Sequence, residues 1–382
     1  MKNYFVNGVG LNFRFPIDGD CVNEYDGELR DGVLYLPVRL TGQPGAQIVV
    51  NETDARETAP GVFEATVPLF GYRCALVAQD RRNPEHTARV TVFRLNDAVG
   101  GCRLSSDDNI IFLWDIHQHR DTYRSIFENP YLAVYKKAHD LYGITVHLNL
   151  FYAFDEMDDF AEDRGSFNLS MMTDKFRDEW IANSDWLRLS FHARTNHPDM
   201  PYRETDRKTI REDCLQVQNE IIRFAGRQTL SDVTTVHWGE CTAEGMRALR
   251  EVGVQGAAGY FEFNPDGSTL VSYYYPKDLV AHVGGRDFWV DTEEDLVYGR
   301  IDLVLNLYPL SEIRPRLEEI CKDPHRAGFL EIMIHEEYFY SDYMNYIPEF
   351  EQIVLEAASF CRERGCKGRN FSQVMLEKRH TK

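Results

Sequence analysis

The stretch that decides the fold is FLEIMIH, residues 329–335, an apolar run of strand-like residues that ends on a histidine. Three other runs end in the same way: NIIFLWDIH at 109–117, DWLRLSFH at 185–192 and DVTTVH at 232–237. In a barrel of parallel strands, the residues at the carboxyl ends of different strands point into one mouth. Imidazole is a common metal ligand and the usual acid or base near neutral pH. The four histidines that end these runs therefore predict an active-site mouth.

From residue 109 onward, strand-like runs alternate with helical segments. The segment NPYLAVYKKAHDLYG at 129–143 carries helix signals, with Asn129 as N-cap, Pro130 at the first helical position and Gly143 at the end. About seven strand–helix units follow one another, which favours parallel strands with helical crossovers. We predict an α/β fold whose main domain, residues 109–382, is a distorted (β/α) barrel of about seven strands.

The first hundred residues carry a different pattern. Short alternating runs, such as GVLYLPVR at 32–39 and HTARVTVFRL at 86–95, are separated by Gly, Pro, Asn and Asp. Such spacing predicts a small all-β sandwich domain of immunoglobulin-like type over residues 1–100. The stretch DAVGGCRLSSDD at 97–108 is typical of a linker. We expect the N-terminal domain to pack against the barrel or to mediate homo-oligomer formation.

Composition limits the class of partner. Nucleic acids and anionic membranes attract clustered Lys and Arg, whereas this 382-residue chain has a formal charge of −19. The first residues lack the apolar core of a signal peptide, and no stretch approaches the ~20 apolar residues of a membrane helix. The eight cysteines form no CxxC pair, which favours reduced thiols. We expect a cytoplasmic protein that acts on a small molecule or a glycan and binds neither nucleic acid nor membrane.

The first run supplies three candidate site residues in WDIH. Asp115 and His117 would point to the same side of a strand, as a metal pocket requires. Asp115 would serve as metal ligand or general base, the alternative being a cap for the next helix; an unpartnered carboxylate after an apolar run is costly, which favours function. Trp114 is a candidate for contact with substrate, or else part of the core.

The second and third runs supply further candidates. His192 is a candidate metal ligand, and His197, five residues later in a polar loop, is more typical of a solvated residue. His237 is followed by Trp238 and Glu240, and an aromatic ring beside acid–base groups is typical of a sugar site. Trp238 would bind substrate or belong to the core. Glu240 would act as an acid or base, or would stabilise the start of a helix near residue 242.

The last run supplies the predicted catalytic acid. His335 follows three apolar residues and precedes Glu336 and Glu337, one of which would stabilise its protonated form. The alternative is a core histidine with a hydrogen-bonded partner. Glu336 is also a candidate for contact with substrate.

These motifs, the alternating barrel and the N-terminal β-domain together resemble the polysaccharide deacetylase (NodB-like) family of carbohydrate esterases. In that family a TFDD motif supplies a base and a metal-binding aspartate, an HSxxHP motif supplies two histidine ligands, and an LxIH motif supplies the acid histidine. FLWDIH at 112–117 stands in place of TFDD, and HARTNHP at 192–198, with one additional residue between its histidines, in place of HSxxHP. IMIH at 332–335 matches LxIH, and VHWGE at 236–240 occupies the place of a family RxPY motif.

The resemblance implies a divalent metal, zinc first, with Mn, Co and Ni as alternatives. Asp115 and His192 would be ligands, with His117 or His237 completing the set, and Asp115 would also accept a proton. His335 would be the acid.

The leading hypothesis is a metal-dependent hydrolase that cleaves amide or ester bonds of a carbohydrate or a related small polar molecule. A second hypothesis is a metal-independent glycoside hydrolase that pairs Glu240 with Glu336 or Glu337. A third is a catalytically altered barrel that only binds a glycan.

Overall fold

The computed structural model describes residues 3–95, 98–154 and 159–376. Residues 96 and 97, where the predicted linker begins, and residues 377–382, at the end of the predicted barrel domain, lie outside the described residues. Across the described ranges, no helix has the length and apolar character needed to cross a bilayer.

The N-terminal part consists of short strands. They are β1 (Gly8–Val9), β2 (Asn12–Phe15), β3 (Cys21–Val22), β4 (Glu28–Arg30), β5 (Val33–Thr41), β6 (Ile48–Val50), β7 (Thr53–Asp54), β8 (Arg56–Ala59), β9 (Val62–Leu69), β10 (Arg73–Asp80) and β11 (Thr87–Arg94).

These strands pair into two sheets, which confirms the predicted all-β character of this part. One sheet has the order β2-β5-β9-β8, with β4 on β5, and all its pairs are antiparallel. The other has the order β1-β11-β10-β6-β7, antiparallel except for β3, which runs parallel to β11. Leu36 and Phe63 of the first sheet share one buried core with Leu76 and Val90 of the second. The two sheets therefore stabilise each other through a common apolar layer.

The second part alternates strands and helices. Its strands are β12 (Gly101–Asn109), β13 (Thr145–Phe151), β14 (Ala153–Phe154), β15 (Phe167–Asn168), β16 (Leu187–Ala193), β17 (Val233–Thr234), β18 (Gly256–Gly259), β19 (Glu262–Phe263), β20 (Thr269–Leu270), β21 (Phe288–Asp291), β22 (Leu296–Arg300), β23 (Leu303–Val304), β24 (Phe329–His335) and β25 (Lys367–Gly368). Its α-helices are α1 (Ile111–Gln118), α2 (Pro130–Tyr142), α3 (Arg177–Ala182), α4 (Arg207–Ala225), α5 (Ala243–Glu251), α6 (Lys277–Val283), α7 (Leu310–Ile320) and α8 (Phe350–Glu363). Single turns of 3-10 helix cover Ile126–Glu128, Leu169–Met171, His237–Gly239, Leu305–Leu307 and Glu337–Phe339, and a π turn covers Ser372–Leu376.

A parallel sheet forms the centre of this part. Its order is β16-β13-β12-β24-β23, with β25 beside β12, and every pair is parallel. A second sheet has the order β17-β18-β22-β21, parallel except for the last pair. The α/β class is thus confirmed. Closure into a barrel stays a prediction, because hydrogen bonds join these strands into two separate sheets.

The central strand β12 carries a polar face and an apolar face. Cys102 and Leu104 belong to the apolar core that includes the helices. Arg103, Ser105 and Asp107 alternate with them and point to the opposite side, since successive side chains of a strand point in opposite directions. All three are buried. The side of the sheet away from the helices is therefore lined by polar groups, and the candidate site lies at its carboxyl end.

The strand predicted at 109–117 is wrong, because most of this run forms helix α1 and the strand before it, β12, lies within the predicted linker. The helix begins without a cap from its own side chains. Instead, the buried Glu336 carboxylate accepts hydrogen bonds from the backbone N–H groups of Ile110 (2.6 Å), Ile111 (3.1 Å) and Phe112 (2.6 Å). Those groups are the ones that a helix start leaves without partners. A short apolar run fits a strand or a helix, and a residue more than 220 positions away decides between them.

The other predicted elements vary in outcome. The strand at 329–335 is confirmed as β24, and the helix at 129–143 as α2, with Asn129 Oδ1 accepting from Leu132 N–H and Gly143 in the left-handed region at its end. The strand at 232–237 shortens to Val233–Thr234, so that His237 lies in a 3-10 turn just after it.

Polar contacts join the N-terminal sheets to the second part. The buried Asp20 carboxylate lies 2.6 Å from Nε2 of His282 on α6. Arg286 donates from Nη2 to Asp26 Oδ1 (2.7 Å) and to the carbonyl oxygen of Cys21 (3.0 Å). The segment around residues 20–26 therefore contacts the loop that leads into β21.

Candidate metal centre and cleft

Three buried side chains converge at the carboxyl end of the parallel sheet. Asp108 follows Asp107 at the end of β12, His192 lies near the end of β16, and His237 lies in the turn after β17. Asp108 Oδ1 is 3.0 Å from His192 Nε2 and 3.2 Å from His237 Nδ1, and these two nitrogens are 3.0 Å apart. Within the described ranges, this is the one group of three or more His, Cys, Asp or Glu residues compact enough to hold a metal ion.

The outer nitrogens of both imidazoles are engaged by backbone carbonyls. His192 Nδ1 lies 2.5 Å from the carbonyl oxygen of Thr235, and His237 Nε2 lies 3.1 Å from that of Asn196. A carbonyl accepts hydrogen bonds, so each of these nitrogens carries the proton of a neutral imidazole. The inner nitrogens then direct lone pairs at each other and at the Asp108 carboxylate. Three acceptors at such distances need a cation or a proton between them.

The geometry fits a divalent transition metal. Tetrahedral ligands at 2.0–2.2 Å from zinc lie about 3.3 Å from one another, close to the three separations given above. Nitrogen ligands combined with a carboxylate oxygen suit zinc, manganese, cobalt or nickel. A carbonyl that holds the outer N–H of a ligating histidine is also the common second contact of such ligands, since it fixes the tautomer. Asp108, His192 and His237 are therefore able to hold a metal ion.

The charges of the three groups are strongly coupled. Burial favours the neutral acid, yet the adjacent His192 and His237 rings hold the pKa of Asp108 well below its usual range. Burial opposes the imidazolium, but the Asp107 and Asp108 carboxylates raise the pKa of His192 above its ordinary value. A metal ion at this site would displace any proton that these groups share.

Asp107 is the second carboxylate of this strand end, and it lines the same cleft. Burial raises its pKa, while His192 and His335 act in the opposite direction. Asn149 on β13 donates a hydrogen bond of 2.6 Å from Nδ2 to Asp107 Oδ1. The amide therefore fixes the orientation of this carboxylate.

The Asn149 amide is the last member of a buried chain of hydrogen bonds. Arg103 forms a bidentate pair with Glu331, at 2.7 and 2.8 Å, and its Nη1 donates to His147 Nδ1 at 2.7 Å. His147 Nε2 then donates to Ser190 Oγ (2.8 Å), which donates to Asn149 Oδ1 (2.5 Å). From Arg103 Nη1 onward every donor points towards Asp107, so each bond polarises the next.

His335 lies across the cleft at the end of β24, where it pairs with Asp107 of β12. Its Nδ1 is 2.9 Å from Asn306 Oδ1, and its backbone N–H donates to the same atom at 3.2 Å. The backbone donor identifies this atom as the amide oxygen, so His335 Nδ1 carries a proton. Nε2 of His335 is therefore the ring nitrogen that is available to a molecule bound in the cleft.

The cleft has a volume of about 480 Å³ and is also lined by Glu337 and Trp238. Glu337 Oε1 accepts a hydrogen bond of 3.3 Å from Asn196, and burial, together with the Asp108 charge, raises the pKa of Glu337 to about 9. Trp238 stands at the rim with 44% of its surface exposed.

The candidates on α1 lie outside this cluster. Asp115 Oδ2 accepts hydrogen bonds from Tyr123 (2.9 Å) and Asn129 (2.7 Å), and the carboxylate is not among the residues that line the cleft. His117 packs against the ring of Phe167. Trp114 is half-buried under the guanidinium of Arg164 rather than at the cleft. Trp114, Asp115 and His117 were expected at a strand end because a strand was predicted at 109–117. That prediction is wrong, since helix α1 holds all three residues.

Three further candidates also lie elsewhere than predicted. Glu336 is fully buried beneath α1, so it has no access to substrate and does not contact the His335 ring. Glu240 is half-buried, with Arg203 as its ion-pair partner at 3.8 Å, and does not line the cleft. His197 lines the cleft but is exposed beside Asp199. Glu240 and Glu336 therefore do not form the facing pair that a glycoside hydrolase needs.

Sequence reasoning missed Asp107, Asp108, Asn149 and Asn306. The two aspartates stand in SSDD at 105–108, directly after the alternating residues of GCRL at 101–104. Two adjacent aspartates match the family motif TFDD better than FLWDIH does. That alternation of apolar and polar residues was the available signal. The polar residues also give the stretch the composition of a linker, which favours the opposite interpretation.

Comparison with known proteins gives distant structural neighbours. No family model and no curated protein matches the chain. The chain is similar to the CE4 domain of a multidomain xylanase from the hindgut metagenome of Trinervitermes trinervoides, at 11% identity and a TM-score of 0.35, over 72% of this chain and 90% of that one. It is also similar to a Streptococcus mutans CE4 esterase, at 12% identity and a TM-score of 0.32, over 72% of this chain and 85% of that one.

A third neighbour is a CE4 family pseudoenzyme from Bacillus anthracis, at 9% identity and a TM-score of 0.33, over 73% of this chain and 66% of that one. All three neighbours are CE4 proteins, and at these identities and TM-scores the likeness carries no conclusion about the family of this chain. Similarity at this level carries no conclusion about activity, which depends on the residues of the cleft.

Proposed function

We propose that the chain is a metal-dependent hydrolase that cleaves an amide or ester bond of a carbohydrate or a related small molecule. The observation that carries this proposal is the convergence of Asp108, His192 and His237 in a cleft that also contains Asp107 and His335. The first three residues supply a metal site, and the last two supply an acid–base pair. Metal, base and acid are the three components of a metal-assisted hydrolysis of an acyl bond.

Asp108 Oδ1, His192 Nε2 and His237 Nδ1 would hold the cation. A bound divalent cation would polarise the substrate carbonyl and make a water molecule more acidic. Asp107 takes the role of general base that the sequence had assigned to Asp115. Its Oδ1 accepts from Asn149, so we assign proton transfer to Oδ2. The hydrogen-bonded chain behind Asn149 holds this carboxylate in one orientation while a proton moves.

His335 takes the role of general acid. Asn306 holds Nδ1, so Nε2 of the imidazolium would deliver a proton to the departing amine or alcohol. The amide oxygen of Asn306 thus fixes the orientation of the His335 ring. Backbone carbonyls do the same for the rings of His192 and His237. Trp238 at the rim offers an exposed indole face, which is a common platform for the apolar face of a sugar.

Metal-dependent turnover tests the proposal. Protein stripped with a chelator and reloaded with Zn, Mn, Co or Ni should bind one ion per chain and release acetate from N- or O-acetylated sugars or from p-nitrophenyl acetate. The variant H192A should lose the ion, while H197A, which removes an exposed histidine of the same loop, should keep it. Absence of a bound ion, or equal metal content in the two variants, would overturn the metal site. An intact site that binds acetylated oligosaccharides without turnover would favour the glycan-binding alternative.

A further inference from the structure

One wall of the cleft is apolar and is built on strained backbone. Trp238 and Val271 both line the cleft, and both adopt the left-handed region, with φ of 63° and 48°. Side chains with a Cβ are disfavoured there, and β-branched Val most of all. Two such residues facing one cleft are unexpected in a wall that only fills space.

The surrounding segments hold this strain in place. The backbone N–H of Tyr273 donates to the carbonyl of Gly239 at 2.7 Å, and that of Tyr260 donates to the carbonyl of Val271 at 2.9 Å. A Cβ on Gly239 would lie 2.3 Å from Cγ1 of Val271, so the two backbones meet as closely as glycine permits. Strained residues persist where surrounding contacts fix them, and such residues cluster at ligand sites.

The same apolar surface continues to the proposed acid. Met333 lies two residues before His335 on β24, so both side chains are on the same face of the strand. Leu307 follows Asn306, the partner of His335, and 57% of its surface is exposed although it is a large apolar residue. Ile301 and Val304 complete the floor. An acetyl group alone would leave most of the 480 Å³ cleft, and this apolar surface, in contact with water.

We propose that Trp238, Val271, Ile301, Val304, Leu307 and Met333, together the apolar wall, form a subsite for an alkyl or aryl group larger than acetyl beside the scissile bond. The inference rests on the proposed hydrolase function and narrows its substrate class. The substrate is then an amphiphilic amide or ester, one side of which is polar and faces the metal centre. The group binds as part of either the acyl or the leaving half, because Met333 and Leu307 place the wall beside His335, the proposed acid of the leaving group.

Two substrate series distinguish these halves. With metal-loaded protein, kcat/KM is measured for p-nitrophenyl acetate, butyrate and hexanoate, and for ethyl, butyl and benzyl acetate. Burial of two additional methylene groups should raise kcat/KM about tenfold in one of the two series. The variant L307Q should flatten that series. The control L141Q, at a residue of similar exposure on the outer side of α2, should keep the wild-type trend.

Calorimetry gives a readout that does not need turnover. Either hexanamide or N-hexylacetamide should bind at least tenfold more tightly than acetamide, depending on which half of the substrate the wall contacts. L307Q should remove this difference in affinity. The subsite would be overturned if kcat/KM did not change with chain length in either substrate series and the three amides bound equally well. The proposed hydrolase function would still stand in that case. Tight binding of a hexyl compound without hydrolysis of any ester or amide would instead support the subsite and contradict the proposed function.

Discussion

Two aspartate-containing segments lie next to each other in the chain and end in different environments. Asp108 lies next to the last residue of strand β12, is buried, and faces His192 and His237. Asp115 lies seven residues later on helix α1, where Tyr123 and Asn129 occupy its carboxylate. The second segment looks more like a site in sequence, because it also contains a tryptophan and a histidine. The difference shows that the position of a carboxylate at a strand end matters more than the chemistry of its neighbours in sequence.

The sharpest way to break this comparison is to neutralise each aspartate in turn. D108N removes the charge of the proposed ligand and should lower kcat/KM by about a thousandfold or more, equivalent to about 4 kcal/mol of lost transition-state stabilisation. D115N leaves the cleft intact and should keep activity within about twofold, while losing about 1 kcal/mol of stability from weakened hydrogen bonds. Steady-state kinetics and chemical unfolding of the two variants measure both effects. Equal loss of activity in the two variants would contradict the distinction.

Asp107 is the proposed base and lies beside the proposed metal ligand Asp108. A variant at Asp107 therefore tests the role of base separately from that of ligand. D107N should lower kcat by about 10²–10⁴-fold, because a general base is lost, and should retain the bound metal. Elemental analysis beside kinetics separates the two roles. Loss of the metal together with activity would mean that Asp107 is a ligand as well.

His335 should show a loss that depends on the leaving group. H335A should slow the hydrolysis of amides by about 10²–10³-fold, because an amine needs a proton in order to leave. The loss on p-nitrophenyl esters should be much smaller, because p-nitrophenolate leaves without one. A uniform loss on both substrates would show that His335 positions the substrate rather than donating a proton.

The elements that could be predicted were those whose signals are local. Helix α2 has its cap, its first-turn proline and its final glycine within its own sequence, and β24 is an apolar run that only Glu331 interrupts before His335. His192, His237 and His335 could be selected because apolar strands lead to them. The failure at 101–117 has a distant cause, since α1 is capped by Glu336 and β12 buries polar side chains through Arg103, Glu331 and His147. The capping of α1 by Glu336 leaves no local pattern, whereas the alternation at 101–104 is a local signal of β12.

Asn149 tests the chain of hydrogen bonds behind the proposed base. N149A removes the donor to Asp107 Oδ1 and should lower kcat about tenfold, with little change in KM, because the carboxylate loses its orientation. N149D, which cannot donate when ionised, should not restore the rate, whereas N149Q should recover part of it. A kcat that is unchanged in N149A would show that the buried chain is only structural.

The smallest expected effect on catalysis belongs to Glu336, the cap of α1. E336Q weakens the hydrogen bonds to three backbone N–H groups and should lower the free energy of unfolding by about 1–3 kcal/mol. Activity per folded molecule should change little, because this side chain does not reach the cleft. A large loss of kcat at unchanged stability would show that Glu336 has a role in catalysis.

The most direct test of the metal centre is anomalous scattering from crystals grown with zinc. The structure predicts a single strong peak about 2.0–2.2 Å from Asp108 Oδ1, His192 Nε2 and His237 Nδ1. A peak beside Asp115 and His117, with none among these three atoms, would contradict the assignment of the metal site to the end of β12.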